Sequence, residues 1–188
     1  MLHVPAPYGP ALGFLEVSSI ARGIVVCDAV VKKAAVRLLL TETVTPGKYL
    51  VLFDGGEAEV EESLGAGLET ARDALVDRLY LPHPHDDLWR GLAGTVARPQ
   101  LDSVAVIEAG SVASTIGACD ASLKAAEVRL VQIHLARGIG GKGWFALSGP
   151  LDQIESATEA ATRALADGLL AGVEIIPRPH EDLGGTAV

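Results

Sequence analysis

The chain has 188 residues and a formal net charge of −9, and its composition is 49% hydrophobic but only 4% aromatic. The acidic balance argues against nucleic acid or a membrane surface as a partner, because both need a basic face, and no apolar run reaches the roughly 18–20 residues of a membrane span. The low aromatic content predicts a core built mainly from Ala, Val, Leu and Ile, and a mean hydropathy of +0.33 predicts an apolar surface that another chain covers.

The amino terminus and the cysteines predict a cytosolic protein without disulfides. The first ten residues lack the basic region and the apolar core of a secretory signal. Cys27 and Cys119 are too few for a disulfide framework, and a reducing compartment would keep them as thiols. Both are expected to behave as small buried hydrophobic residues.

The first half of the chain predicts the element order β-α-β-β-α-β. Short apolar runs ended by turn residues indicate strands, and apolar residues at helical spacing indicate helices. The first helix carries Asp28 and Lys32 four residues apart on one face. A Gly-containing turn separates the two middle strands, which is typical of a hairpin. The predicted segments are 11–16, 20–34, 36–41, 49–53, 57–75 and 77–81.

The second half of the chain repeats the first. Cys27 and Lys32 recur 92 positions later as Cys119 and Lys124. The offset grows to 94 at the Gly-Lys pairs of the hairpin turns and to 95 at the Pro-x-Pro-His turns, as short loop insertions would produce. The corresponding segments are 104–108, 112–126, 128–134, 144–147, 151–165 and 172–176.

This duplication predicts two tandem domains, residues 10–93 and 102–184, joined by a linker at 94–100 that contains Pro99. The β-α-β-β-α-β order is the ferredoxin-like split pattern, so the predicted fold class is α/β (α+β). A domain fused head to tail to its own copy makes a contact that either closes into a ring or continues indefinitely. Three tandem chains would close a ring of six domains.

Short motifs in both repeats carry a family resemblance. They are Ala11-Leu12-Gly13 with Glu16, Asp28-Ala29 with Lys32, Pro46-Gly47-Lys48, Asp120-Ala121 with Lys124, Gly138-Ile139-Gly140-Gly141-Lys142 and Ile176-Pro177-Arg178-Pro179-His180. With these motifs, nearly the whole chain resembles the tandem-domain, trimeric shell proteins of bacterial microcompartments, of the unpermuted, single-layer type. The resemblance implies a homotrimer that forms a pseudohexagonal tile of a cytoplasmic microcompartment shell, beside other shell hexamers, trimers and pentamers.

The resemblance also implies a pore at the centre of the tile. In the family the turn between the hairpin strands lies at this centre. The residues so placed are Thr45, Pro46, Gly47, Lys48, Ile139, Gly140, Gly141 and Lys142. Six backbone segments and six lysines near one axis would favour the passage of anionic or polar metabolites. An ordinary glycine hairpin is the alternative interpretation of these residues.

Four further residues match edge positions of the family's tiles. Lys32 and Lys124 match the edge lysine, and Arg178 matches the edge arginine of the last strand's turn. The first repeat has His83 where the second has Arg178, so three of the six edges would lack a permanent charge there. A solvated helix lysine is the alternative interpretation of Lys32 and Lys124.

No cofactor is expected. Some relatives are associated with an iron–sulfur cluster held by a pore cysteine, because such clusters need thiolates. Here Thr45 precedes Pro46, and neither Cys27 nor Cys119 lies in a predicted pore loop. Since a hydroxyl is a poor iron ligand, we predict no cluster.

Other motifs favour structure over chemistry. His83 and His85 could suggest a metal site, but the matching turn has Arg178 for His83, which favours a structural turn. Residues 138–143 lack the spacing and the hydroxyl residue of a phosphate loop. His3 and His134 have no evident repeated partner, so no enzyme is predicted. The alternative function is a trimeric ligand-binding or electron-transfer module with a cofactor at the central pore.

Overall fold

The computed structural model describes residues 2, 5–96, 102–165 and 168–183. The chain divides into two compact units, residues 1–84 with 137–141 and residues 85–136 with 142–188. His3, residues 97–100 of the predicted linker and residue 184, where the second predicted domain ends, lie outside the described residues.

The first unit is a four-stranded antiparallel sheet with two helices. Its elements are β1 (Ala11–Val17), α1 (Ile20–Lys33), β2 (Arg37–Val44), β3 (Lys48–Gly55), α2 (Glu57–Ala71), a 3-10 turn (Arg72–Ala74) and β4 (Leu75–Pro82). The strand order is β2-β3-β1-β4. Hence β1 lies between β3 and β4 and carries the centre of the core.

Local signals explain where these elements begin and how closely they pack. The hydroxyl of Ser19 accepts a hydrogen bond from the backbone N–H of Arg22 at 3.3 Å and so caps the start of α1. A Cβ on Gly13 would collide with the Phe53 ring, and one on Gly67 would collide with Leu15. Glycine at these two positions therefore lets β3 and α2 approach β1 closely.

The second unit contains the same sheet and helices, preceded by an additional helix. Its elements are α3 (Asp86–Ala93), β5 (Ser103–Ala109), α4 (Val112–Ala125), β6 (Arg129–Leu135), β7 (Gly143–Gly149), α5 (Leu151–Ala164) and β8 (Leu170–Ile176). The strand order is β6-β7-β5-β8. Both units have the predicted β-α-β-β-α-β order, which confirms the predicted fold class.

The duplication extends to irregularities of the two sheets. The register between β2 and β3 shifts between Leu38 and Leu40, and that between β6 and β7 shifts between Leu130 and Gln132. Leu130 is the counterpart of Leu38 in the repeat. Matching bulges, which bend a strand locally, show that the two units share detailed backbone geometry as well as topology.

Helix α3 is an element that the sequence interpretation did not contain. The imidazole of His85 accepts a hydrogen bond from the backbone N–H of Asp87 at 3.1 Å and caps the helix. Gly94 ends it in the left-handed conformation. In sequence, α3 lies within the predicted domain 10–93, but in space it belongs to the second compact unit.

Candidate pore loops and edge residues

The first hairpin loop, residues 45–47, joins β2 to β3. The backbone N–H of Gly47 donates to the carbonyl oxygen of Val44 at 2.8 Å, and its φ of 102° favours glycine. Thr45, Pro46 and Gly47 are exposed. The loop therefore presents a hydroxyl, a pyrrolidine ring and uncovered backbone to solvent.

The second hairpin loop, residues 136–142, joins β6 to β7 and is rich in left-handed backbone. Its residues with positive φ are Ala136, Gly138, Gly140 and Gly141. Residues 137–141 belong to the first compact unit. A Cβ on Gly141 would lie 3.1 Å from Nζ of Lys48 and 3.3 Å from the carbonyl oxygen of Thr45. The structure thus brings Gly141 against predicted pore residues of the first hairpin, while Ile139 and Gly140 remain exposed.

An ion pair that the sequence interpretation missed lies beside these loops. The guanidinium of Arg137 donates to the carboxylate of Glu42 from Nη2 at 2.6 Å and from Nε at 2.9 Å. The hydrogen bond to Glu42 raises the pKa of Arg137. Arg137 belongs to the two-residue insertion in the second hairpin loop, so it has no counterpart in the first repeat. That insertion was the available sequence signal for a contact specific to this loop.

Both predicted pore lysines are paired with a glutamate of their own repeat. Nζ of Lys48 lies 2.7 Å from Oε1 of Glu16, and these side chains are 18% and 0% exposed. Nζ of Lys142 lies 3.5 Å from Oε2 of Glu108, and both side chains are about half exposed. Each lysine therefore brings a compensating carboxylate, which reduces the positive charge expected at the loops.

The predicted edge lysines pair with the aspartates one helical turn before them. The Lys32–Asp28 and Lys124–Asp120 pairs both have nitrogen–oxygen distances of 2.6 Å. The side chain of Asp28 is 58% exposed and that of Asp120 only 4%. Asp120 also accepts a hydrogen bond from the backbone N–H of His85 at 2.8 Å. The two edge positions therefore share their local geometry but differ in what covers them.

The turns after the last strands adopt one conformation in both repeats. His83 and Arg178 both have a φ of 48°, in the left-handed region. Both are exposed, and Nε2 of His83 lies 3.0 Å from Oε1 of Glu57. The matching backbone shows that His83 and Arg178 occupy equivalent positions at the end of β4 and β8.

The two cysteines lie on helices, away from the hairpin loops. Burial raises the pKa of the Cys27 thiol to about 11, although a hydrogen bond with Tyr49 opposes this shift. Burial also raises the pKa of Cys119, and the nearby Asp120 and Asp87 add to the effect. Both residues are therefore neutral thiols at neutral pH, and neither provides a thiolate.

The parts of the chain that the structure describes contain no candidate for two other kinds of site. No helix there is long and apolar enough to cross a membrane. Among the same residues, no group of three or more His, Cys, Asp or Glu side chains is arranged to hold a metal ion.

Comparison with protein families identifies the two repeats. The BMC domain model matches residues 11–84 and 103–179, one match in each repeat. Among curated proteins, the bacterial microcompartment shell protein PduT of Citrobacter freundii is 37% identical over 92% of this chain and 95% of its own length. The carboxysome assembly protein CcmO of Synechococcus is 28% identical over 92% of this chain and 67% of its own.

Solved structures show the same fold. The crystal structure of a microcompartment protein from Desulfitobacterium hafniense matches with a TM-score of 0.83 and 37% identity, covering 92% of this chain and 97% of that one. The fused permuted hexameric shell protein MSM0275 matches with a TM-score of 0.66 over 88% of this chain and 86% of its own. At 22% identity, the second match supports the fold alone.

Proposed function

Since the chain belongs to the family of BMC domain proteins and carries two such domains in tandem, we propose that it is a structural protein of a bacterial microcompartment shell. Three chains would supply six domains to a pseudohexagonal tile with a central pore. The observation that carries this proposal is that two complete BMC domains with the same strand order follow each other in one chain. The full-length similarity to a shell protein favours this role over a ligand-binding or electron-transfer module.

The trimer is supported by the apolar surface of the first repeat. Ile20, Ile24, Val25 and Val31 of α1 are exposed large hydrophobic residues. A cluster of this kind on one helix is typical of an interface. Because a head-to-tail pair of domains offers a different surface at each end, its ends join other copies in a ring. In a ring of three chains, the α1 surface of each chain would be covered by a neighbouring chain.

The pore would be lined by residues 45–48 and 139–142 and would pass small polar metabolites. The adjacency of Gly141 to Thr45 and Lys48 supports the convergence of the two loops. Because Lys48 and Lys142 are paired with glutamates, we propose that exposed backbone and the side chains of Thr45 and Ile139 set the selectivity more than net charge does. A weak preference for anions is therefore expected.

This pore is tested by the relative rates at which an anionic and a neutral metabolite of similar size cross assembled shells. We expect the double variant Lys142→Gln/Glu108→Gln, which removes both members of the pair, to change this ratio by less than about twofold, because the net charge beside the pore is unchanged. Lys142→Gln alone leaves the Glu108 carboxylate uncompensated and should lower anion passage, so it is the contrasting variant. A large loss of anion passage in the double variant would show that the lysine acts as a free charge.

The edges would join the tile to other shell hexamers, trimers and pentamers. Lys32, Lys124, His83 and Arg178 are all exposed, as residues that contact an adjoining tile must be. Each lysine is held by its aspartate in a defined direction. Assembly through these edges would place the protein in the shell layer.

Light scattering and electron microscopy on one sample test the proposal. The expected mass is near three times 19.5 kDa, with hexagonal layers at high concentration. The double variant Lys32→Ala/Lys124→Ala should keep the trimer and lose the layers. A stable monomer would contradict the ring, and a trimer that forms layers neither alone nor with other shell proteins would contradict the shell role.

We further propose that the pore holds no iron–sulfur cluster and that the protein is not an enzyme. Thr45 offers a hydroxyl where a cluster needs a thiolate, and both cysteines lie on helices, Cys27 on α1 and Cys119 on α4. Protein purified without oxygen and supplied with iron and sulfide should show no visible absorption band. An iron-dependent band would favour the electron-transfer module instead.

A further inference from the structure

Helices α1 and α4 are equivalent in sequence and fold but differ on one face. Three positions of each helix are buried in both repeats, Gly23, Val26 and Val30 in α1 and Thr115, Ala118 and Ser122 in α4. On the next face, Ile24 is 56% exposed, whereas its counterpart Ile116 is 0% exposed. Ile20 and Val31 are likewise exposed, and their counterparts Val112 and Leu123 are buried.

In the second unit, α3 and the residue before it pack against α4. The backbone N–H of His85 donates to Oδ1 of Asp120 on α4 at 2.8 Å. A Cβ on Gly91 would collide with Leu130 and lie 3.0 Å from Cγ2 of Ile133, so α3 also packs closely on β6. Leu88 of α3 is fully buried. The segment that follows β4 thus packs on α4 and β6 of the second unit, and His85 at its start is hydrogen-bonded to α4.

The segment that follows β8 repeats this motif. Residues 177–183 read Pro-Arg-Pro-His-Glu-Asp-Leu, against Pro-His-Pro-His-Asp-Asp-Leu at 82–88. The backbone N–H of Leu183 donates to the carbonyl oxygen of His180 at 3.0 Å, and that of Leu88 donates to His85 at the same distance. Nδ1 of His180 accepts from the N–H of Asp182 at 3.3 Å, as Nδ1 of His85 does from Asp87. Residues 180–182 are exposed.

The chain therefore contains two copies of the motif. The copy at 82–88 packs on α4, whereas the copy at 177–183 and the matching face of α1 are both exposed. We propose that residues 177–183 of one chain seat on α1 of the next chain in the trimer. The backbone N–H of His180 then donates to Asp28 of the partner subunit, as His85 donates to Asp120. Leu183 supplies the apolar contact that Leu88 supplies within the chain. This inference rests on the proposed trimer.

Charge and geometry agree with this seating. Asp28 is held by Lys32 through Oδ2 at 2.6 Å, and Asp120 accepts from Lys124 through Oδ2 and from His85 through Oδ1. Each carboxylate thus contacts the lysine one turn later through one oxygen, and the side chain of Asp28 is 58% exposed, so it is accessible to a donor from another chain. A second copy of this chain is thus the occupant that fits, because it carries the matching motif in the matching conformation.

A proline at position 180 tests the hydrogen bond directly. His180→Pro removes the N–H, and a proline fits the φ of −61° that His85 adopts at the equivalent position. His180→Ala loses the imidazole but keeps the N–H, so it is the matched control. Because each trimer would lose three hydrogen bonds to a charged acceptor, His180→Pro should raise at least tenfold, relative to His180→Ala, the concentration at which half of the chains are trimeric.

Asp28→Ala should weaken the trimer similarly, and adding His180→Pro to it should weaken it little further, because the two groups act as one pair. Equal dissociation of the proline and alanine variants, in a wild-type protein that is trimeric, would overturn the seating and leave the proposed function intact. A monomeric wild type would overturn both. Circular dichroism of each variant establishes that the monomers are folded.

A covalent test is independent of stability. In a chain with Cys27→Ala, the pair Asp28→Cys and His180→Cys should form disulfides between chains when oxidised glutathione accepts the two electrons and two protons, and should yield covalent trimers on non-reducing gels. Asp28→Cys alone is the control for random oxidation. Absence of cross-linked species under conditions where the protein is trimeric would contradict the proposed contact.

Discussion

In the first repeat α1 presents Ile24 and Asp28 to solvent, whereas in the second repeat the matching Ile116 and Asp120 of α4 are buried. The two sheets have the same strand order and the same register shifts, so the difference does not arise within the β-α-β-β-α-β core. It accompanies α3, which lies on α4 and has no described counterpart on α1. The proposed contact between chains would cover the face of α1 that this difference leaves exposed.

The largest expected effect comes from placing a charge on this helix face. Ile116→Asp buries an unpaired carboxylate and should lower the free energy of unfolding by about 3–5 kcal/mol. Ile24→Asp stays in solvent and should change it by less than about 0.5 kcal/mol. Urea denaturation at concentrations below trimer assembly measures both. If the two variants were equally destabilised, the two faces would not differ as described.

Ile24→Asp should nevertheless prevent assembly, because the proposed trimer buries this position. Light scattering at high concentration measures the effect, and Ile24→Ala is the milder control. A trimer that tolerated Ile24→Asp would show that the α1 face remains in solvent after assembly.

The two lysine–glutamate pairs offer a second comparison with a smaller effect. Lys48 covers a fully buried carboxylate at 2.7 Å, whereas Lys142 and Glu108 are half exposed at 3.5 Å. Lys48→Met should therefore lower the free energy of unfolding by about 3 kcal/mol, and Lys142→Met by less than about 1 kcal/mol. High salt should weaken only the exposed pair appreciably. Comparable losses in both variants would contradict the burial difference.

A third comparison concerns two equivalent helix–strand contacts in which the larger and the smaller residue change places between the repeats. Gly23 of α1 leaves room for Tyr49 of β3, whereas Gly143 of β7 leaves room for Thr115 of α4. A Cβ on Gly143 would lie 2.8 Å from Cβ of Thr115. The large residue thus comes from the strand in one repeat and from the helix in the other, and each faces a glycine.

Gly143→Ala should accordingly cost about 1–3 kcal/mol of stability through overpacking. Thr115→Gly is itself destabilising, but the double variant should be less destabilised than the sum of the single ones by about 1 kcal/mol, because the glycine removes the overpacking. Thermal or urea unfolding of the four proteins gives this coupling. Additive effects would mean that the two residues do not compete for the same space.

Sequence patterns predicted the repeat, the element order and the pairing of Lys32 with Asp28, because periodicity and spacing encode them directly. They did not predict that Glu16 pairs with Lys48. These residues are 32 positions apart and meet only through the register of β1 against β3, which apolar alternation does not specify uniquely.

The position of α3 was harder to predict than its existence. Acidic residues after His85, Arg90 in the last turn and Gly94 at the end are ordinary helix signals, and they were available in the sequence. Its membership in the second unit depends on packing of Gly91 on β6, which no local pattern contains. For the same reason, the similar sequences of α1 and α4 did not indicate which of the two helices would be covered.

The smallest expected effect concerns the reactivity of the two free cysteines rather than the stability of the protein. With its pKa raised to about 11, Cys27 is almost entirely a neutral thiol at pH 8, and its alkylation should accelerate roughly tenfold per pH unit up to about pH 10 without levelling off. Cys119 is fully buried and should react only on unfolding. Mass spectrometry of iodoacetamide-treated protein measures both rates, with the exposed Thr45→Cys as a control of ordinary pKa.

Because the seated segment would cover α1, Cys27 should react more slowly in the trimer than in the monomer. A plateau near pH 9 would contradict the raised pKa of Cys27. An equal rate in monomer and trimer would show that Cys27 remains as accessible after assembly as before it.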